Sequence, residues 1–427
     1  MKSIRMTVIL CLFCSALVLS SANGSEFQIN TYTTHNQSYS SIAYDGTNYM
    51  VTWNSYGQDG NSDGIYGQLV DTSGEKIGSE FRINTYTSSN QSNPSLAFDG
   101  TNYLVTWNSF KQDSSLYGIY GQLINTSGSK VGSEFRINTY TTDTQYEPLL
   151  AFDGNNYLVT WNSYGQDGNY DGIYGQLISK AGAKTGSEFR INTYTTSSQS
   201  IPSITFGGNN YLVTWQSNEQ DSNGQGIYGQ LISASGNKVG SEFRINTYTT
   251  GNQQFPALAY DGTNYLVTWQ SDGQDGNLYG IYGQLVSITG EKVGSEFQIS
   301  TYTTNNQQFS ALAYGDSYYL VTWQSTGQDG SSVGIYGQFI SIAGAKIGSE
   351  FLINTYTTDG QLYPTLAYDG NNFLVTWESF GQDGNMYGIY GKFVAGSSPS
   401  SPVPEPASHI LLGCGVLFLK RRFVSRK

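Results

Sequence analysis

The chain has almost no cysteine or histidine, and its body is short of positive charge. Its three cysteines, Cys11, Cys14 and Cys414, all lie in apolar segments near the two ends. The body between them therefore has no disulfide and no cysteine-based metal or catalytic centre. Histidine occurs twice, at His35 in an early loop and His409 near the C-terminus. A lone loop histidine reads as a solvated surface residue, so His35 is assigned no role. Charged residues make up only 12% of the chain. Setting aside the terminal Lys2, Arg5, Lys420, Arg421, Arg422, Arg426, Lys427 and Glu405 leaves 13 basic against 31 acidic residues, a net charge near −18. That balance disfavours nucleic acid and anionic lipid as partners of the body. Cations and neutral polar polymers suit it better.

Glycine (51) and tyrosine (34) are abundant instead, together with Thr, Ser and Asn, a composition that favours strands and turns over helices. Residues 1–22 read as a secretory signal: Lys2 and Arg5, then the apolar "MTVILCLFCSALVL", then small residues before Asn23. Export without cysteines points to a bacterial source.

The tetrapeptide "GSEF" starts at Gly24, Gly78, Gly132, Gly186, Gly240, Gly294 and Gly348, always 54 residues apart. All seven tryptophans keep the same register, from Trp53 to Trp377. A period of this size signals a propeller or a solenoid. Each unit reads as four short strands; in the fifth they are "FPALAYDG", "NYLVTWQS", "GIYGQLVS" and "GEKVGSEFQISTY". Tyr265, Val267 and Trp269 alternate with Leu266 and Thr268, so both faces of each sheet meet a neighbour. Seven units of four strands predict an all-β, seven-bladed β-propeller over residues 23–394. The body begins with a fourth-strand sequence, whereas the last unit stops after "GIYGKFV" at Val394. Pairing the spare first strand with the last blade closes the ring and removes two exposed edges.

The units resemble a broad group of bacterial exported propeller repeats with the pattern P-x-x-A-Y-D-G-x-x-Y-L-V-x-W … I-Y-G-Q-x-V, matched here by "PALAYDGTNYLVTWQS…GIYGQLVS". The resemblance implies the fold and is nearly silent on function, because propellers host many activities.

In such a ring the fourth-to-first and second-to-third connections open on one face. Two sets of glutamines repeat there: Gln37, Gln91, Gln145, Gln199, Gln253, Gln307 and Gln361, and then Gln58, Gln112, Gln166, Gln220, Gln274, Gln328 and Gln382. Each of the second set precedes an aspartate, and tyrosines such as Tyr56, Tyr164, Tyr279 and Tyr387 lie nearby. Amides and aromatics around a concave mouth suit a hydroxyl-rich ligand, so both sets are candidate polysaccharide contacts. The bland alternative is that Gln and Asp cap turns in recently duplicated repeats. The "GSEF" glutamates are expected to face solvent. Seven equivalent carboxylates do not supply the asymmetric pair a glycosidase needs. Glu147, Glu219 and Glu378 break the repeat without an evident partner, and the sialidase-type Asp-box S-x-D-x-G-x-x-W is not matched.

The second-to-third loops also raise calcium. Asp59, Asn61 and Asp63 in the first unit, and Asp167, Asn169 and Asp171 in the third, give D-x-N-x-D-G. Position twelve, where an EF-hand has a bidentate carboxylate, is Val70 or Ile178, so only a weaker Ca²⁺ site, or a plain polar turn, remains.

Residues 395–402 form a Ser/Pro linker, and 403–427 combine Val403-Pro404-Glu405-Pro406, an apolar run, and Lys420-Arg421-Arg422. This resembles a PEP-CTERM sorting signal, which implies processing by an exosortase-type enzyme in a Gram-negative bacterium that makes exopolysaccharide. The apolar run falls short of the ~20 residues of a full membrane span, which suits transient anchoring, the body's only membrane contact. An ordinary tail anchor is the alternative. The sequence thus points to an exported, surface- or matrix-associated, non-catalytic propeller that binds or organises extracellular polysaccharide. A glycan-active enzyme and a purely structural spacer are the competing readings.

Overall fold

A computed structural model describes residues 24–396; the signal segment, the linker beyond its first two residues and the sorting motif lie outside the described residues, and Ala395, expected in the linker, ends the last strand. The fold within that span is the expected one. The first blade is β2 (Gln37–Tyr44), β3 (Asn48–Tyr56), β4 (Asp63–Asp71) and β5 (Lys76–Arg82), paired antiparallel in chain order. Five more blades repeat this order, and the seventh is completed from the other end of the chain by β1 (Phe27–Gln28). The described residues contain no helix long and apolar enough to cross a membrane.

Ring closure rests on a short strand with dense support. Phe27 pairs with Gly391 and Gln28 with Tyr390 in the last strand, Tyr387–Ala395. The Ile29 amide continues the ladder to the Ile389 carbonyl at 2.8 Å, and Asn30 Oδ1 accepts from the Ile389 amide at 2.8 Å. Phe27 stacks on Phe393, with centroids 5.8 Å apart.

The hydrophobic core is divided into seven clusters, each between two blades. Tyr49, Val51 and Trp53 of β3 pack toward the seventh blade with Leu374, Ile389 and Phe393. Met50, Ile65 and Leu69 turn the other way, against Tyr103, Val105 and Trp107 of the second blade. All seven tryptophans are fully buried. Each such cluster loses ~3–5 kcal/mol if its tryptophan is cut to alanine.

The glutamine of every complete "IYGQ" motif fixes the bend between third and fourth strands. Gln68 Nε2 donates to the carbonyls of Leu69, Ile77 and Gly78, across the register shift between Gly67 and Leu69. In the seventh blade Lys392 stands at this place, buried, and donates to the Ile353 carbonyl instead.

Candidate channel-mouth site

The first glutamine set does not form a ligand-facing surface. The first set is fully buried, Gln37 through Gln361. Asn30 Nδ2 donates to Gln37 Oε1 at 3.1 Å, while Gln37 Nε2 donates to the carbonyls of Thr34 and His35. The same bond links Asn84 to Gln91, Asn138 to Gln145, Asn192 to Gln199, Asn246 to Gln253 and Asn354 to Gln361. These amides hold the crossing from one blade's outer strand to the next blade's inner one. In one place Ser300 replaces the asparagine, and Gln307 Oε1 is left buried without a partner.

The second set is tied to the "GSEF" glutamates, which are not free in solvent either. Gln58 Nε2 donates to Glu80 Oε1 at 2.5 Å, and Glu80 Oε2 accepts from the Thr31 amide at 2.6 Å. Thr31 follows the strand that completes the seventh blade, so Glu80 clasps two blades together. Equivalent clasps join Gln112, Gln166, Gln220, Gln274 and Gln328 to Glu134, Glu188, Glu242, Glu296 and Glu350. The seventh joins Gln382 to Glu26, which accepts from the Thr355 amide. Thus the first set is withdrawn from any ligand by burial, and the second, still half-exposed, is bonded to the neighbouring glutamates, the turn- and blade-fastening role that was the alternative to ligand contact.

The calcium motifs are engaged in the same way. Asp59 Oδ1 accepts from the Asn61 amide, and Asn61 Nδ2 donates to the Thr87 carbonyl of the adjoining connection. Asp167 Oδ2 lies 3.9 Å from the Arg190 guanidinium, and Asn169 Nδ2 donates to the Thr195 carbonyl. Asp171 Oδ2 accepts from Ser198 Oγ at 3.0 Å. Burial, with the nearby Asp59 charge, pushes the Asp63 carboxyl up to about 6. Among the described residues no group of three or more His, Cys, Asp and Glu is placed to hold a metal ion.

A mainly apolar concave site lies in the axial channel. Every first strand has a bulge just after its buried glutamine; in β2 the register shifts between Ser38 and Ser41. The bulge sets one residue per blade at positive φ: Tyr39, Asn93, Glu147, Ile201, Phe255, Phe309 and Tyr363, all between 51° and 58°. This conformation is uncommon outside glycine and an outlier for a β-branched residue such as Ile201. Such strain costs ~1–3 kcal/mol per residue and concentrates at functional sites. All seven side chains line one open cavity of about 310 Å³, with prolines or serines behind them.

Amide latches from the preceding blade hold the strained backbone. The Asn93 amide donates to Asn54 Oδ1 at 3.0 Å, Phe255 to Gln216, Phe309 to Gln270 and Tyr363 to Gln324. The Tyr39 amide donates to Glu378 Oε1 at 2.6 Å. Glu378 therefore occupies the place of an amide, and burial pushes its carboxyl up to about 8. At neutral pH it is a neutral acid, which explains how it substitutes for Gln.

Chemically the mouth is two-sided. Four consecutive blades present an aromatic arc: Phe255 and Phe309 with centroids 4.6 Å apart, Phe309 and Tyr363 at 4.9 Å, and Tyr363 stacked on Tyr39 at 5.5 Å. Asn93, Glu147 and Ile201 complete the circle. Glu147 Oε2 accepts from Asn162 Nδ2 at 2.6 Å, and burial pushes this carboxyl up to about 7. Of the three glutamates that break the repeat, Glu147 lines the channel and Glu378 is buried behind the Tyr39 backbone; Glu219 sits in the loop between second and third strands, also at positive φ.

Fold and site together define a seven-bladed β-propeller with an aromatic-walled channel mouth. Hydrazine synthase from Kuenenia stuttgartiensis is similar in fold, with a TM-score of 0.51 at 11% identity, over 84% of this chain and 97% of that one. The β-propeller domain of the trilobed protease from Pyrococcus furiosus, described as having an open velcro topology, gives 0.49 at 8% identity, over 87% and 99%. A thermostable family-43 glycoside hydrolase gives 0.39 at 10% identity, over 63% and 94%. No family model and no curated protein matches the sequence.

Proposed function

We propose that this is an exported, surface- or matrix-associated binding propeller that holds extracellular polysaccharide at its channel mouth without chemically altering it. One observation carries the reading: the arc Phe255–Phe309–Tyr363–Tyr39, strained into the cavity by the same bulge on each blade. Sugar rings present apolar C–H faces and a rim of hydroxyls, so flat aromatic walls with a few polar groups suit them. The same face of the ring carries exposed Tyr56, Tyr164, Tyr170 and Phe380, which extend the surface available to a polymer. A single carboxylate, Glu147, lines the cavity, whereas glycosidases place two across the scissile bond. That contrast favours binding over hydrolysis.

The test is retention of the exported protein on exopolysaccharide from its own source, compared with the Tyr363→Ala and Phe309→Ala variants. Stacked aromatics are worth roughly 0.5–1.5 kcal/mol each beyond their buried area, so each variant loses about two- to twelvefold in affinity. Unchanged retention in both variants, or shortening of the polymer by the wild type, sinks the reading. The tail belongs to the same proposal: exosortase-type processing near Val403–Pro406 delivers the propeller to the cell surface. Mass spectrometry of the exported protein checks it, since an intact Lys427 end is the opposing result.

A further inference from the structure

The channel mouth differs from a plain sugar platform in one respect: a carboxylate faces the aromatic wall. Glu147 belongs to the third blade of seven, so the blades directly across the axis are the sixth and seventh, which carry Phe309 and Tyr363. The Tyr39 hydroxyl feels the Glu147 charge, which places that carboxylate within electrostatic reach of the arc.

The protein also gives something up to hold Glu147 there. Asn162 is the third blade's counterpart of the latch residues Asn54, Gln216, Gln270 and Gln324. Its Nδ2 donates to Glu147 Oε2, and its own Oδ1 is buried without a partner. A buried unpaired acceptor costs roughly 1–3 kcal/mol. Glu147 Oε1 receives no hydrogen bond from the described residues, and Glu147 lines the cavity, where a donor that is not part of the protein can meet it.

Aromatic faces attract cations through their quadrupole, and a half-buried carboxylate pairs with an ammonium far better than with a hydroxyl. From this juxtaposition we infer that the mouth selects a sugar bearing a free, protonated amine, a de-N-acetylated hexosamine in the bound polymer, with Glu147 as the amine's partner and Asn162 as its positioning residue. This rests on the polysaccharide reading above. The strongly acidic body attracts such a polycation over longer range. Glu147 ionises more readily beside a cation, so binding near neutral pH releases a proton from a carboxyl that burial, and to a lesser extent Asp171, holds up.

Calorimetry on the full chain compares four tetramers: β-1,4-linked glucosamine, its fully N-acetylated form, cellotetraose and tetralysine. The expected result is glucosamine tetramer at least tenfold tighter than the other three, with buffer-dependent heats that report proton release. Glu147→Gln erases the tenfold preference while still binding the neutral sugars, and Asn162→Ala reduces it. Phe309→Ala weakens all three sugars together, a readout that loss of a single charge does not give. Equal affinity for the three sugars overturns the amine inference and leaves the polysaccharide reading standing. Tetralysine binding as tightly as the amino sugar overturns the assignment to a sugar. Failure to bind any of the three sugars removes the polysaccharide reading, and the inference with it.

Discussion

At the scale of single residues, the informative positions are those where seven near-identical copies disagree. Glu378 is the sharpest case. Its folded-state pKa of about 8 stands above the ordinary 4.5 because of burial. As pH rises from about 4.5, the unfolded chain loses this proton first, so the wild type is progressively destabilised up to about pH 8. Glu378→Gln keeps the acceptor for the Tyr39 amide, as Gln324 does for Tyr363. Chemical denaturation is therefore expected to show the two proteins nearly equal at pH 4, and the variant more stable by ~4 kcal/mol at pH 8. A constant difference across that range counts against the assignment. Repetition and variation carry opposite meanings here. Gln37 and Glu80 recur because every blade needs the same fastening, whereas Tyr39, Asn93, Glu147 and Ile201 differ because they face the cavity. The glutamine rings were legible in the sequence as positions; their burial was not, because a buried amide and a ligand-facing amide look alike in one dimension.

At the scale of elements, strand number, order and ring closure could all be read from the 54-residue period and the offset "GSEF". The bulge in each first strand could not. Strict alternation from Gln37 puts Tyr39 on the glutamine's own side of the sheet, and only the register shift between Ser38 and Ser41 turns it into the channel. The inter-blade clasps were also hidden, since their partners lie 49 residues apart, on different blades. The closing strand shows how much such clasps matter. β1 contributes two paired residues, yet Glu26 binds both Gln382 and the Thr355 amide, and Phe27 stacks on Phe393. Phe27→Asp sets a carboxylate against that aromatic ring and is expected to cost ~3 kcal/mol. Hydrogen exchange would then quicken along Tyr387–Ala395 well before it quickens in the central blades. Uniform quickening of all seven blades would mean that the ring opens as one unit.

At the scale of the whole molecule, each of the first six blades finds all four of its strands nearby in the chain, and only the seventh must bring the two ends together. Closing so long a loop adds an entropic cost that grows only with the logarithm of its length, about 0.6 kcal/mol for each doubling. The harder problem is timing and competition. Every third strand carries nearly the same "GIYGQ" edge that β1 must recognise. In the first six blades a tethered fourth strand sits at high effective concentration and wins the edge before β1 arrives. The seventh edge has no tethered rival, so it accepts the first suitable strand, whether from its own chain or from another. Dilute refolding is expected to give monomers. Refolding at high concentration is expected to give strand-exchanged oligomers that size-exclusion chromatography resolves, and a rearranged chain with β1 fused after Ala395 is expected to abolish them. A ring fastened by its own two ends is therefore also a monomer with one donor and one acceptor, capable of head-to-tail polymerisation whenever assembly outruns closure.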